Sequence, residues 1–196
     1  MSLKSYNEVS TELNSSNESK INESLLNKIN QIFKIVLEEN EKLKNYPDKL
    51  SSRRGVAFNS NYIPSISIKK YLYRIAYYTE IEENTIIIAL IYIDRISEIS
   101  KIMLTPYNIH RIIFSAILLA IKYNEDIIFN FDYYSKVAGI SIKELQILEN
   151  DFSVLLRFKF FVSQELFDNY KSYIEDIDDI NDDDDDEENN KIKKIL

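Results

Sequence analysis

Hydrophobic and polar positions follow a helical period along most of the chain. Between residues 21 and 46, one face is apolar and the other carries Asn, Lys and Glu, which predicts a single amphipathic helix. Its apolar positions are Leu25, Ile29, Ile32, Phe33, Val36 and Leu37. Residues 1–20 are rich in Ser, Asn and Glu and lack this period, so they are predicted to be disordered. Residues 47–64 begin and end with proline and contain an Arg-Arg-Gly break, which predicts a linker.

Five further helices are predicted between residues 65 and 162, followed by a short C-terminal helix. They cover 65–79, 85–99, 105–123, 131–138 and 141–157, and the C-terminal helix lies within 163–175. Thr105-Pro106 predicts a helix start, and Ser141 with Glu144 matches a capping box, in which each side chain satisfies the other's backbone N–H. The helix at 105–123 is apolar around most of its circumference, so we expect it to be central and buried.

Composition supports helices where periodicity alone is ambiguous. Residues 85–99 are rich enough in Ile to suit a strand, but the whole chain has only two Gly and three Pro. Sheets of this size need many tight turns, and glycine is the usual residue in them, so the fold is predicted to be all-α.

The formal charge of −8 is concentrated at one end of the chain. Residues 175–196 contain eleven acidic residues and three lysines, so the remainder is formally neutral. A neutral folded region argues against nucleic acid as a partner. Residues 176–196 are predicted to be a disordered acidic tail, with weak attraction of a basic surface or a divalent ion as the less favoured role.

Several kinds of chemistry are excluded by what the chain lacks. It has no Cys and one His, so it offers neither a thiolate nor a histidine-rich metal site, and two glycines cannot build a phosphate-binding loop. His110 has no Ser or carboxylate at a spacing typical of catalysis, and we interpret it as a packed or surface histidine. We expect no cofactor, no metal and no enzymatic activity.

The sequence predicts neither membrane insertion nor secretion. The longest apolar run, residues 112–121, is shorter than the roughly 20 residues that cross a bilayer. The chain begins with polar residues instead of a secretory signal, so an intracellular protein, cytoplasmic or nuclear, is expected.

Five short motifs occur in order between residues 62 and 162. They are Pro64-Ser-Ile-Ser-Ile68 with Tyr71-Leu72-x-Arg74-Ile75; Ile91-Tyr-Ile-Asp-Arg95; Ala120-Ile-Lys122-Tyr-Asn-Glu125; Tyr133-Tyr-Ser-Lys-Val-Ala-Gly-Ile140; and Glu144-Leu with Leu148-Glu149-x-Asp151-Phe152. Each motif alone is weak, but together and in this order they resemble the P-type cyclins, also called Pho-type or U-type. The resemblance implies a five-helix cyclin box over residues 65–162.

The resemblance also implies a function and a set of site residues. Cyclins bind and activate cyclin-dependent protein kinases, whose mobile regulatory helix docks against the third and fifth helices of the box. The positions matching the kinase-binding residues of the family are Lys122, Tyr123, Glu125, Glu149 and Phe158. The positions matching a structural ion pair between the first and second helices are Arg74 and Asp94.

The residues themselves leave alternatives open at two of these positions. Lys122 could instead stabilise its own helix, because a positive charge near the C-terminal end interacts favourably with the helix dipole. Glu149 falls within the apolar stripe of its helix, and a carboxylate there needs a partner, either inside the protein or on another molecule.

The leading hypothesis is therefore a single-box cyclin that activates a cyclin-dependent kinase, with no nucleic acid or membrane as partner. The alternative is a cyclin-fold adaptor or scaffold without a kinase. In either case, we expect the helix at 21–46 to pack on the box or to help grip the kinase.

Overall fold

The computed structural model describes residues 22–43 and 55–177. These residues form seven α-helices, a short 3₁₀ segment at Val56–Phe58 and no strand, so the prediction of an all-α fold is confirmed for this part of the chain. The helices are α1 (Glu23–Glu41), α2 (Ile68–Thr79), α3 (Glu83–Ser100), α4 (Ile109–Asn124), α5 (Phe131–Ala138), α6 (Ile142–Leu155) and α7 (Gln164–Glu175). The predicted disorder at 1–20, the first part of the predicted linker and most of the predicted acidic tail lie outside the described residues.

The core is built around α4. Eleven of its residues are buried, and Ile112, Ala116 and Ala120 have no exposed surface. It packs mainly against α3 and α6. This agrees with the prediction from its nearly continuous apolar surface, because a helix without a polar face is stable only when surrounded by other elements.

The predicted start of this central helix is wrong by about one turn. Residues 106–108 form a turn, and α4 begins at Ile109. The Asn108 side chain closes the turn, because its oxygen accepts from the Thr105 N–H at 2.8 Å and its amide donates to the Met103 carbonyl at 3.0 Å. An Asn side chain that bonds nearby backbone favours a turn over a helix, and this signal outweighs Thr105-Pro106.

Half of the predicted capping box at the start of α6 is present. Ser141 accepts a hydrogen bond from the Glu144 N–H at 3.1 Å. The Glu144 carboxylate does not return the bond, and instead pairs with Arg111 of α4, 2.9 Å from its Nε and 2.5 Å from its Nη2. The Glu144 carboxylate thus bonds the charged Arg111 side chain instead of the backbone, and this contact links α6 to α4.

The two helices outside the predicted box are part of the same core. Leu26, Ile29 and Phe33 of α1 belong to the main cluster of buried residues, as does Ile174 of α7. α1 packs against α2 and α7, and α7 packs against α3. The expectation that the N-terminal helix packs on the box is therefore met. No helix among the described residues is long and apolar enough to cross a membrane.

Candidate partner-binding surface

An ion pair joins the two charged residues that the sequence singled out. Lys122 lies in the last turn of α4 and Glu149 in the middle of α6, and the Lys122 Nζ contacts the Glu149 carboxylate directly. Their side chains are 32% and 20% exposed, so the pair is only partly hydrated. The Lys122 Nζ also lies 4.8 Å from the centre of the Phe131 ring, within range of a cation–π interaction. The partner that Glu149 requires is thus present inside the chain.

Exposed aromatic side chains lie beside this pair. Tyr123 is 55% exposed and Phe158 is 65% exposed, although both are large and apolar. Their rings meet that of Phe160, with centroid distances of 5.4 Å and 6.3 Å respectively. Phe161 follows and is 73% exposed. We call Lys122, Tyr123, Glu149, Phe158, Phe160 and Phe161 the α4–α6 surface.

The turn that carries these phenylalanines has an unusual backbone. Arg157 and Phe158 both have positive φ, 54° and 55°, which is uncommon for residues other than glycine. Such a conformation persists only where neighbouring contacts hold it.

The backbone N–H groups of Arg157 and Phe158 donate to the carbonyls of Val154 and Ser153, and α3 holds the residues that follow. The Arg95 Nη1 donates to the carbonyls of Lys159 and Phe161, at 2.7 Å and 2.9 Å. The Tyr92 hydroxyl donates to the intervening carbonyl of Phe160 at 2.7 Å. Burial raises the pKa of Tyr92 to about 12, so its hydroxyl remains protonated and able to donate at neutral pH. Three consecutive carbonyls are therefore held by two side chains one turn apart on α3.

Sequence reasoning missed this support. Tyr92 and Arg95 lie inside the motif Ile91-Tyr-Ile-Asp-Arg95, but no role was predicted for either residue. The signal available was the spacing: residues three apart on a helix share a face, and a Tyr and an Arg there can hydrogen-bond one neighbouring segment.

Glu125 is placed differently from the other predicted residues. Its Oε1 accepts a hydrogen bond from the Glu82 N–H at 3.1 Å, at the N-terminus of α3. A carboxylate in this position satisfies one of the amide groups that a helix start leaves unpaired. After Asp126 come three exposed apolar residues, and the first of them, Ile127, is 79% exposed. Glu125 thus fixes the connection that leads to an exposed apolar segment.

The predicted ion pair between Arg74 and Asp94 is wrong, because each side chain bonds a different partner. The Arg74 Nη2 donates to the carbonyl of Lys136 in α5 at 2.8 Å. The Asp94 Oδ2 accepts from the hydroxyl of Tyr170 in α7 at 2.5 Å. The two side chains face different helices, so each stabilises a different helix contact.

Comparisons with known proteins agree with this architecture. The family model described as "Cyclin" matches residues 3–160. Relatives from Arabidopsis thaliana include Cyclin-U4-3, 34% identical over 78% of this chain, and Cyclin-U4-1, 34% identical over 63%. Cyclin-P3-1 from Oryza sativa subsp. japonica is 33% identical over 60% of this chain. The matches cover 67%, 62% and 50% of those three relatives, respectively.

Proposed function

The chain belongs to the cyclin family, and we propose that it is the regulatory subunit that binds and activates a cyclin-dependent protein kinase. The relatives are U-type and P-type cyclins, which confirms the resemblance found in the motifs. The proposal places the chain inside the cell, in the cytoplasm or nucleus, with a kinase as its partner. It assigns no catalytic residue to the chain itself.

The observation that carries the proposal is the α4–α6 surface. It combines a partly buried ion pair with aromatic rings that are more than half exposed. Contiguous exposed apolar side chains are typical of surfaces that bind another protein. An amphipathic helix is a suitable partner for such a surface, because its apolar residues can cover the rings while the charges fix its orientation.

The charged pair would contribute specificity as well as attraction. Lys122 and Glu149 already satisfy each other, so the free chain does not need a partner to stabilise them. A docking helix can accept a hydrogen bond from Lys122 and donate one to Glu149 without separating them far, because each retains capacity beyond the single contact. An incorrectly placed partner would bury these charges without new hydrogen bonds, at a cost in free energy.

Activation then follows from differential affinity. A partner that binds one position of the kinase's regulatory helix more tightly than another shifts the kinase toward that position. In protein kinases, the helix must sit inward for its Glu to pair with the Lys that positions the ATP phosphates. We propose that the α4–α6 surface binds the inward position.

The first test is whether the chain forms such a complex. The full chain is co-expressed with a cyclin-dependent kinase from the same organism, and copurification and phosphotransfer are measured. The proposal predicts a one-to-one complex and phosphotransfer well above that of the kinase alone. If no cyclin-dependent kinase of that organism forms a complex, the adaptor hypothesis is preferred.

The second test separates a partner contact from the internal ion pair. We expect Lys122→Glu and Glu149→Lys each to weaken kinase binding by roughly 2–5 kcal/mol, because each leaves like charges side by side at the interface. The double variant K122E/E149K restores an internal pair with the charges exchanged. It is predicted to recover the free energy of unfolding but not the affinity for the kinase.

The measurements are the dissociation constant for the kinase and the urea midpoint of each variant. Lys136→Glu is a matched control, because Lys136 pairs with Asp132 on α5 and lies outside the α4–α6 surface. Recovery of affinity in the double variant would show that only the internal pair matters. Normal binding by both single variants would remove Lys122 and Glu149 from the interface.

A further inference from the structure

A groove of about 350 Å³ lies where α1, α3 and α7 meet. It shares no residue with the α4–α6 surface. Its walls are largely aliphatic and aromatic, and include Ile32, Val36, Leu90, Ile93, Tyr173 and Ile174. The volume is within the range of about 300–1,000 Å³ found for pockets that enclose small ligands. It is therefore large enough to take several aliphatic side chains.

Within the part of the chain that is described, the groove offers one acidic side chain, Asp94, to a positively charged occupant. Asp94 lines it, and its carboxylate accepts a hydrogen bond from the neutral hydroxyl of Tyr170. Lys101 lines the groove as well but forms no ion pair with Asp94 among the described residues. The three helices together contain ten acidic and four basic residues. A segment that combines aliphatic residues with lysines would complement both the walls and this charge.

Such a segment occurs in the same chain. Residues 191–196 read Lys-Ile-Lys-Lys-Ile-Leu, with three lysines and three aliphatic residues. Ile177, after which the chain continues toward this segment, itself lines the groove. The intervening residues 178–190 could span tens of ångströms at roughly 3.3 Å per residue, and the entropic cost of closing such a loop grows only slowly with its length.

We propose that residues 191–196 bind in the groove between α1, α3 and α7. Ile192, Ile195 and Leu196 cover its apolar walls, and the lysines lie near Asp94. Tethering makes the local concentration of the segment high, so even a weak contact is occupied. The proposal gives the basic C-terminal segment a role within the chain, and does not depend on kinase binding.

The first experiment measures hydrogen exchange in the full chain without a kinase. A variant with Ile192, Ile195 and Leu196 all replaced by Ser is compared with the wild-type chain. We expect faster exchange of the amides around residues 101–104 and 170–177, which line the groove, and unchanged exchange in α4. The matched control is Ile180→Ser, which removes an aliphatic residue from the same tail but outside the segment. Equal exchange in the wild-type chain and the triple variant would overturn the proposal.

The second experiment uses a labelled peptide of residues 189–196. It is predicted to bind the triple variant at least roughly tenfold more tightly than the wild-type chain, whose own segment competes for the groove. Asp94→Asn in the triple variant should weaken the peptide while keeping the hydrogen bond from Tyr170, and added salt should weaken it further. Equal binding to wild-type and triple variant contradicts the proposal.

Two other occupants would give different results. If a second copy of the chain fills the groove, sedimentation shows a dimer that persists in the triple variant. If the groove instead takes part of a kinase, its amides become protected only in the complex. Either result overturns the proposal, and neither bears on whether the α4–α6 surface binds a kinase.

Discussion

His110 connects the start of α4 to the segment before α2. Its Nε2 lies 2.9 Å from the carbonyl oxygen of Ile66, and its ring packs 5.1 Å from that of Tyr71. Because a carbonyl only accepts, Nε2 carries the proton, and the buried Nδ1 has no hydrogen-bond partner among the described residues. Burial lowers the pKa of His110, so the folded chain favours the neutral ring.

This environment predicts a loss of stability in acid. The unfolded chain protonates His110 near its ordinary pKa of about 6.5, whereas the folded chain resists protonation until a lower pH. The contribution of His110 is therefore complete above the unfolded pKa and is lost as the pH falls from there through the lowered pKa of the folded chain. His110→Gln keeps a donor for Ile66 but does not titrate. Urea unfolding between pH 7 and 5 should show a smaller loss of stability in the variant than in the wild-type chain.

Residue partners could be predicted from the sequence only in part. The position of Glu149 within an apolar stripe indicated that it needs a partner, and the structure provides Lys122. The ion pair between Arg74 and Asp94 that the resemblance implied is wrong, and the sequence could not reveal this because it does not show which neighbour each helix face meets. Whether Lys122, Tyr123, Glu125, Glu149 and Phe158 bind a kinase stays a prediction.

At the scale of elements, the turn between α6 and α7 depends on α3. Arg95 donates two of the three hydrogen bonds that hold its carbonyls, and the turn presents Phe158 and Phe161. The helices on either side could be predicted from the sequence, since Ser141 caps α6 as expected and α7, capped by Ser163, lies within the predicted range. The shape of the turn could not be predicted, because it depends on side chains more than sixty residues earlier in the chain.

We therefore expect Arg95→Met to affect kinase binding more than a loss of stability alone would. Removing both hydrogen bonds should destabilise the fold by about 1–3 kcal/mol and release the turn. Hydrogen exchange at residues 157–162 should rise, and the dissociation constant for the kinase should increase. Arg95→Lys, which keeps a charged donor, is predicted to recover part of the affinity.

The control for Arg95 is another hydrogen bond from a side chain to a backbone carbonyl, away from the α4–α6 surface. The Tyr71 hydroxyl donates to the Ala138 carbonyl at 3.2 Å, linking α2 to α5. Tyr71→Phe should lower stability without changing kinase affinity. If both variants weaken binding only in proportion to their loss of stability, Arg95 has no positioning role.

At the scale of the whole molecule, the described helices share one main core, which predicts that they unfold as one cooperative unit. The sequence suggested an N-terminal helix separated from the box by a linker, and its amphipathic pattern indicated that one face is buried. The sequence could not show that this face of α1 joins the main core, because the contacts with α2 and α7 bring together residues far apart in the chain.

A substitution in α1 tests this cooperativity. Ile29 has no exposed surface and packs within the main core. Ile29→Ala is predicted to lower the free energy of unfolding by roughly 2–5 kcal/mol, because it removes buried methyl groups and leaves a cavity. Since α1 and the box share a core, urea unfolding followed by circular dichroism and by tyrosine fluorescence should give a single coincident transition.

Glu38→Ala, at an exposed position on the same helix, is the control and should leave the urea midpoint nearly unchanged. Two separate transitions in the Ile29 variant would show instead that α1 detaches while the box remains folded.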